Sequence, residues 1–157
     1  MSGSEAPRLA QPPDFATVMG GLRALANDLG DPFAISDPTL KSALFQSQYL
    51  AFAVIAGSKG VALTQPQIST SAGGVLAYVS DLWVAQEVRG TGLGRQLLAK
   101  VARESAARWG AIGLRLAVYE SNVNARAVYD RLGFVTHDRD CVALLTGVRF
   151  KQLKDTP

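Results

Sequence analysis

"VRGTGLGRQLL", residues 88–98, sets three glycines at alternate positions directly ahead of an apolar run with helical spacing. Glycine is costly in a chain unless the backbone needs an unusual dihedral or something must approach it closely. A helix entrance carries N–H groups without intrahelical acceptors and the positive end of the helix dipole. Bare backbone at Gly90, Gly92 and Gly94, with Arg89 and Arg95 on either side, is therefore a receptor for phosphate oxygens. Successive N–H groups in such a loop also form a concave nest for an anion. A tight strand-to-helix turn that uses glycine only for its dihedrals accounts for one glycine better than for three.

Working outward, residues 88–131 hold eight basic residues against three acidic ones, while the whole chain carries only +3. A localised positive field suits a polyanionic ligand. Nucleic acid is disfavoured, because the basic residues lack interleaved aromatics and no helix-turn-helix or RNA-binding signature is present. Downstream of the glycines, "GRQLLAKVARESAARWG" predicts a helix with an apolar stripe of Leu97, Leu98, Val101, Ala102, Ser105 and Trp109, closed by Gly110. Upstream, "YLAFAVIAG", "GVALTQPQI" and "GGVLAYVSDLWVA" read as consecutive strands, the last two parted by "STSAGG" and so antiparallel.

Two helices are expected before these strands. "PPDFATVMGGLRALANDLG" opens at Pro13 and Asp14, sets Val18, Leu22, Leu25 and Leu29 near one face, and is weakened at Gly20 and Gly21. "SDPTLKSALFQ" is capped by Asp37 with Pro38 at its first position. After the central helix, "GLRLAVYE" alternates as a strand, and "SNVNARAVYDRLGF" predicts a short helix capped by Ser121 or Asn122 and ended by Gly133. Phe134 then begins another strand, and "CVALLTGVRFKQL" supplies the last one.

Competing phosphate motifs fail on spacing. A P-loop needs four residues between its glycines and then Gly-Lys-Ser/Thr. A dinucleotide turn needs G-x-G-x-x-G directly after its strand, whereas here the pattern is G-x-G-x-G and "AQEVR" intervenes.

The loop "RGTGLGR" after a strand ending "DLWV", followed one helix and one strand later by "NVNARAVYDRLGF", resembles the GNAT acetyltransferase superfamily over residues 75–135. The resemblance implies a mixed α/β (α+β) fold, with a central, mostly antiparallel sheet, strands splayed at the cofactor cleft and about four flanking helices. It implies one domain over residues 1–157, with residues 1–11 a flexible arm or a first strand. "YVSDLWV" and "LRLAVYESN" are most similar to the diamine acetyltransferase branch.

In that likeness Gly90, Gly92 and Gly94, with Thr91 and Leu93 between them, would hold the pyrophosphate of acetyl-CoA through backbone N–H groups, and Arg89 and Arg95 would add charge. Leu82, Trp83 and Val84 would offer main-chain groups to the pantetheine arm as an added strand does. Asn122, Asn124 and Ala125 would complete the cofactor contacts. Tyr129 would protonate the departing thiolate; a phenol of pKa ~10 is a competent donor to a thiolate whose conjugate acid lies near ~8.5. Asn122 and Tyr129 stand seven residues apart, close to two helical turns, and so share a face. The diamine branch carries a Glu immediately before the strand's Asp, but here that position is Ser80, which leaves Asp81 and Glu120 as candidate bases or amine binders and puts a polyamine substrate in doubt.

The implied activity is N-acetylation of a primary amine, of a small molecule by preference, by direct attack in a ternary complex. A protein N-terminus or lysine is the in-class alternative, and a non-catalytic acyl-CoA binding module the alternative from another class. Acceptor recognition falls to residues 12–48 and 64–74.

The rest of the composition bounds this reading. The longest apolar run, residues 49–56, is too short to cross a bilayer, and the first residues lack the apolar stretch of a secretory signal. Cys141 is the only cysteine, so no internal disulfide forms and a cytoplasmic setting is expected. With His137 the only histidine, no metal site is expected either. No stripe decides between a monomer and a homodimer.

Overall fold

A computed structural model describes residues 5–46, 50–137 and 142–156; Tyr49 and Cys141 lie outside them. The chain divides into two compact units, Met1–Tyr119 and Glu120–Pro157.

The first unit is a five-stranded sheet in the order β1 (Arg8–Leu9), β2 (Phe52–Ala56), β3 (Gly60–Ser69), β4 (Gly74–Val84) and β5 (Gly113–Leu116). The pairs from β1 to β4 are antiparallel, as the short turns between β2, β3 and β4 require. β5 lies parallel to β4, because the chain must cross over through a helix, α3 (Leu93–Trp109), before returning. β1 is the first strand that the N-terminal residues could supply. Its Arg8 meets Asp14 at 2.7 and 2.8 Å, and Asp14 also accepts from the Gln11 N–H at 2.8 Å. These donors hold the Asp14 carboxyl down to about 2. Pro66 sits in β3 where only β4 pairs with it, so the missing N–H disturbs no second ladder.

Period-two alternation sorts the side chains onto two faces. Ala53, Ile55, Val61, Leu63 and Trp83 face α1 (Phe15–Leu29) and α2 (Asp37–Lys41). On the other face Phe52 stacks on Trp109 of α3 at 5.1 Å between ring centroids, and Leu97 and Val101 are fully buried. α3 follows its expected bounds and is closed by Gly110, whose φ of 64° lets its N–H reach the carbonyls of Ser105 and Ala106.

Several local expectations shift. α1 starts after a short 3-10 turn at Pro12–Asp14, and its buried face is Phe15, Val18, Met19, Leu22 and Ala26; Leu25 and Leu29 lie off that stripe. The cap of α2 is Ser36, whose hydroxyl accepts from the Thr39 N–H at 3.3 Å, and Asp37 becomes the first helical residue. α2 continues into a π-helical turn, Ser42–Gln46, that buries Leu44.

The two glycines in α1 have opposite roles. A Cβ on Gly21 would stand 2.6 Å from Val61 Cγ1, so this glycine is where the helix presses onto β3, whereas a Cβ on Gly20 would meet nothing within 4 Å. Gly21→Ala is expected to destabilise by about 1–3 kcal/mol through overpacking. Gly20→Ala should stabilise by about 0.5–1 kcal/mol through helix propensity. Urea unfolding midpoints of the two variants check the pair.

The second unit holds α4 (Val123–Leu132) and α5 (Gly147–Lys154), bringing the described α-helices to five. No strand forms at Phe134, and the expected last strand is instead α5, preceded by irregular chain over residues 142–146. The alternation in "VRFK" is only four residues long, too short to separate a strand from a helix, and Lys151 and Lys154 suit a helix C-terminus.

Candidate functional site

β4 and β5 pair only from Leu76↔Gly113 to Val79↔Leu116, so Ser80–Val84 of β4 has no strand partner on that edge among the described residues. This is the expected splay, and it begins beside a β-bulge. Val79 stands opposite Thr64 and Asp81 opposite Leu63, with Ser80 as the extra residue.

The bulge reverses side-chain parity. In a regular strand Val79 and Asp81 would share a face; here Val79 follows Thr64 toward α3, while Asp81 joins Leu63 on the α1 side. The Ser80 hydroxyl donates to Asp81 Oδ2 at 2.8 Å. Burial pushes the Asp81 carboxyl above its ordinary value, and the Ser80 hydrogen bond offsets only part of that. Glu120, the other candidate carboxylate, is exposed in a turn at the start of the second unit.

From Val84 the chain runs through a 3-10 turn, Gln86–Val88, into the glycines. Gly90 and Gly92 have φ of 81° and 88°, a region that L side chains rarely adopt. Gly92 is the N-cap of α3 and brings no side chain, so the first-turn N–H groups of Leu93, Gly94 and Arg95 have neither intrahelical acceptor nor side-chain cap. A Cβ on Gly90 or Gly92 would meet nothing within 4 Å, so the backbone there faces open space. Thr91 turns its hydroxyl inward, donating to the Val88 carbonyl at 2.7 Å.

The two arginines differ. Arg89 donates from Nε to the Val84 carbonyl at 2.9 Å and from Nη2 to Asp28 at 2.7 Å, and Trp83 Nε1 donates to the same Asp28 oxygen at 3.2 Å. Asp28 thus ties the end of α1 to the end of β4 and answers the Arg89 charge locally. Arg95 is exposed, with no ion pair among the described residues.

Asp28 was not singled out by sequence patterning. Its signal is an acid in the last turn of a helix, where the dipole disfavours negative charge unless a tertiary cation answers it. Beyond α1, Asp31 accepts from the Tyr119 hydroxyl at 2.9 Å, and that partner raises the phenol's pKa.

Trp83 packs against the α1 core, while Leu82 and Val84 are half-buried on the splayed part of β4. In the second unit, Asn122 caps α4 by accepting the Ala125 N–H at 3.3 Å, so one of its side-chain atoms is structurally committed. Asn124 is exposed in the first turn. The Tyr129 ring is half-buried and lies 5.5 Å from that of Phe134, and burial pushes its phenol above the ordinary value.

Gly94 separates two explanations of the glycine turn, because its φ is not positive and a Cβ there would meet only Val84 Cγ2, at an ordinary 3.8 Å. Gly94→Ala should fold at least as stably as the parent. If the bare backbone serves a bound phosphate, the variant should lose coenzyme A affinity about tenfold by calorimetry; if the glycine serves only the turn, affinity should not change.

The model of the acetyltransferase (GNAT) family matches residues 35–134. A candidate acetyltransferase of Arthrobacter sp. FB24 superposes with a TM-score of 0.70 at 27% identity, covering 95% of this chain and 97% of that one. An integron cassette protein of V. cholerae superposes with a TM-score of 0.71 at 18% identity, covering 99% and 100%. The ribosomal-protein-alanine N-acetyltransferase of Brucella melitensis biovar Abortus 2308 does so at 0.65 and 17%, covering 89% and 99%. The last two likenesses are of fold alone. A search of curated proteins finds no match.

Proposed function

Because the chain belongs to the acetyltransferase (GNAT) family, we propose that it transfers an acetyl group from acetyl-CoA to the primary amine of a small molecule by direct attack in a ternary complex. Family membership makes acyl transfer the reaction class. The observation that carries the finer reading is the entrance of α3: N–H groups without acceptors, behind glycines whose outer side is open.

Acetyl-CoA would supply an acyl carbon activated as a thioester. The first-turn N–H groups of Leu93, Gly94 and Arg95, behind the bare backbone of Gly90 and Gly92, would receive its diphosphate, and the exposed Arg95 would add charge. Arg89, held by Asp28, aligns the turn with β4 as well as adding charge. The unpaired edge at Leu82, Trp83 and Val84 fits an extended amide-bearing arm, and a backbone N–H on that edge would steady negative charge at the acyl oxygen. Asn122, Asn124 and Ala125 are the further proposed contacts. The family match, residues 35–134, runs across the division between the two units.

The proton balance falls to two side chains. Asp81, raised by burial, takes one proton from the incoming ammonium so that the nitrogen lone pair is free. As the N–C bond forms and the C–S bond breaks, the Tyr129 hydroxyl gives its proton to sulfur and is restored by the second amine proton. Glu120 is the less favoured base.

Calorimetry with coenzyme A and thiol release over an amine panel test the proposal. Uptake with amine-dependent thiol release supports it, uptake without release points to a binding module, and no uptake overturns it.

A further inference from the structure

On the α1 side of the sheet a pocket of about 260 Å3, open to solvent at its mouth, lies between β3, β4 and the chain joining α1 to α2. Leu22, Leu40, Leu63 and residues 32–35 line it, Phe33 among them, and Asp81 is the only charged residue on it among the described residues. The bulge at Ser80 is what aims Asp81 here rather than toward α3. All of these residues belong to the first unit.

The geometry points to a primary monoamine with a compact apolar body, on the scale of 2-phenylethylamine, as the acceptor, its nitrogen at Asp81 and its ring among Leu22, Phe33, Leu40 and Leu63. This deepens the proposed acetyl transfer and rests on it for the reaction. Three physical arguments select the class.

The first is volume. A dry cavity of about 150 Å3 lined by Leu, Ile and Phe takes benzene. The pocket here, about 260 Å3 and open at its mouth, has room for a ring inside and a short arm ending in nitrogen.

The second is charge. Asp81 is a partly desolvated carboxylate whose close donor among the described residues is the Ser80 hydroxyl, and an ammonium ion is the partner that would favour its ionised form. Among the described residues no second acid lines the pocket, so none of them pairs with the far ammonium of a diamine.

The third is rigidity. Phe33 is held from one side by the Arg23 guanidinium, 5.4 Å from its ring centroid, and so presents a fixed aromatic wall. Asp31, two residues earlier, is anchored by the Tyr119 hydroxyl, which limits the movement of this segment.

The test uses the full chain, with and without coenzyme A, and two probes, 2-phenylethylamine and 1,4-diaminobutane. Calorimetry is expected to show the aryl amine bound at least about 100-fold more tightly, and kcat/KM to favour it by a similar factor, since even one methylene in an apolar pocket is worth about tenfold or more. Phe33→Ala should lower affinity for the aryl amine about tenfold while coenzyme A uptake is unchanged. Binding of the aryl amine without any thiol release would support the pocket and count against the transfer reaction. Transfer to 1,4-diaminobutane or to a peptide N-terminus with equal or greater efficiency would leave the transfer reaction standing and overturn the pocket. Equal affinity for the two probes, or a Phe33→Ala variant indistinguishable from the parent, would overturn it as well.

Discussion

Tyr129→Phe is expected to take up coenzyme A as the parent does and to release thiol about 100-fold more slowly. The substitution removes one oxygen and keeps the ring contact with Phe134 at 5.5 Å, so α4 should keep its packing. What disappears is a proton donor, and positioned general acids contribute roughly 10²–10⁴-fold. Burial raises the phenol's pKa, so at neutral pH the group is protonated and ready to give rather than to take. The deficit should grow with the basicity of the leaving thiolate, so a thioester of a more acidic thiol should narrow the gap. Pre-steady-state thiol release with both thioesters measures it; unchanged turnover in a folded variant would remove Tyr129 from the reaction.

Asp81→Asn should lower kcat/KM for the preferred amine by two orders of magnitude or more while leaving the fold at least as stable. The activity loss follows from removing the group that holds and deprotonates the ammonium. In the parent, kcat/KM should fall as pH drops through the native pKa of Asp81, raised from its ordinary value by burial, and that acid limb should vanish in the variant.

The stability effect runs the other way. Because the native pKa is raised over the unfolded value of ~3.9, the folded chain binds the proton more tightly, and the parent loses stability as pH rises from there through the native pKa. The amide has no such loss. Urea midpoints at pH 4 and pH 7 should therefore converge in the variant relative to the parent, and a variant both inactive and less stable at pH 7 would mark Asp81 as a structural residue only.

The turn at Gly90–Gly94 and the helix behind it were legible because both signals are local. The glycines announce a turn at a helix entrance, where Gly90 and Gly92 take positive φ and Gly94 does not, and Leu97, Val101 and Gly110 announce an apolar stripe with its stop. The three-strand meander was legible from period two and short turns. The direction of Asp81 was not, since a bulge is an agreement between two strands: nothing in "YVSDLWV" alone says that Ser80 is the residue left over. Nor was the cavity, whose wall joins residues from α1, α2, β3 and β4. Arg89 read as a phosphate cation because its neighbours in sequence are the glycines; its neighbour in space is Asp28, sixty-one residues earlier. The tail was misjudged because four alternating residues carry too little periodic information.

The glycine entrance is not an appended loop. Leu93, the first residue of α3, is 2% exposed, and Leu97, one turn on, is fully buried. A ligand gripped there would therefore be held one residue from the core. By thermodynamic linkage, saturation at a hundredfold excess over Kd raises stability by about 2.7 kcal/mol. If the turn takes coenzyme A as proposed, the melting temperature should climb with the logarithm of its concentration, so occupancy would register as heat resistance of the whole sheet.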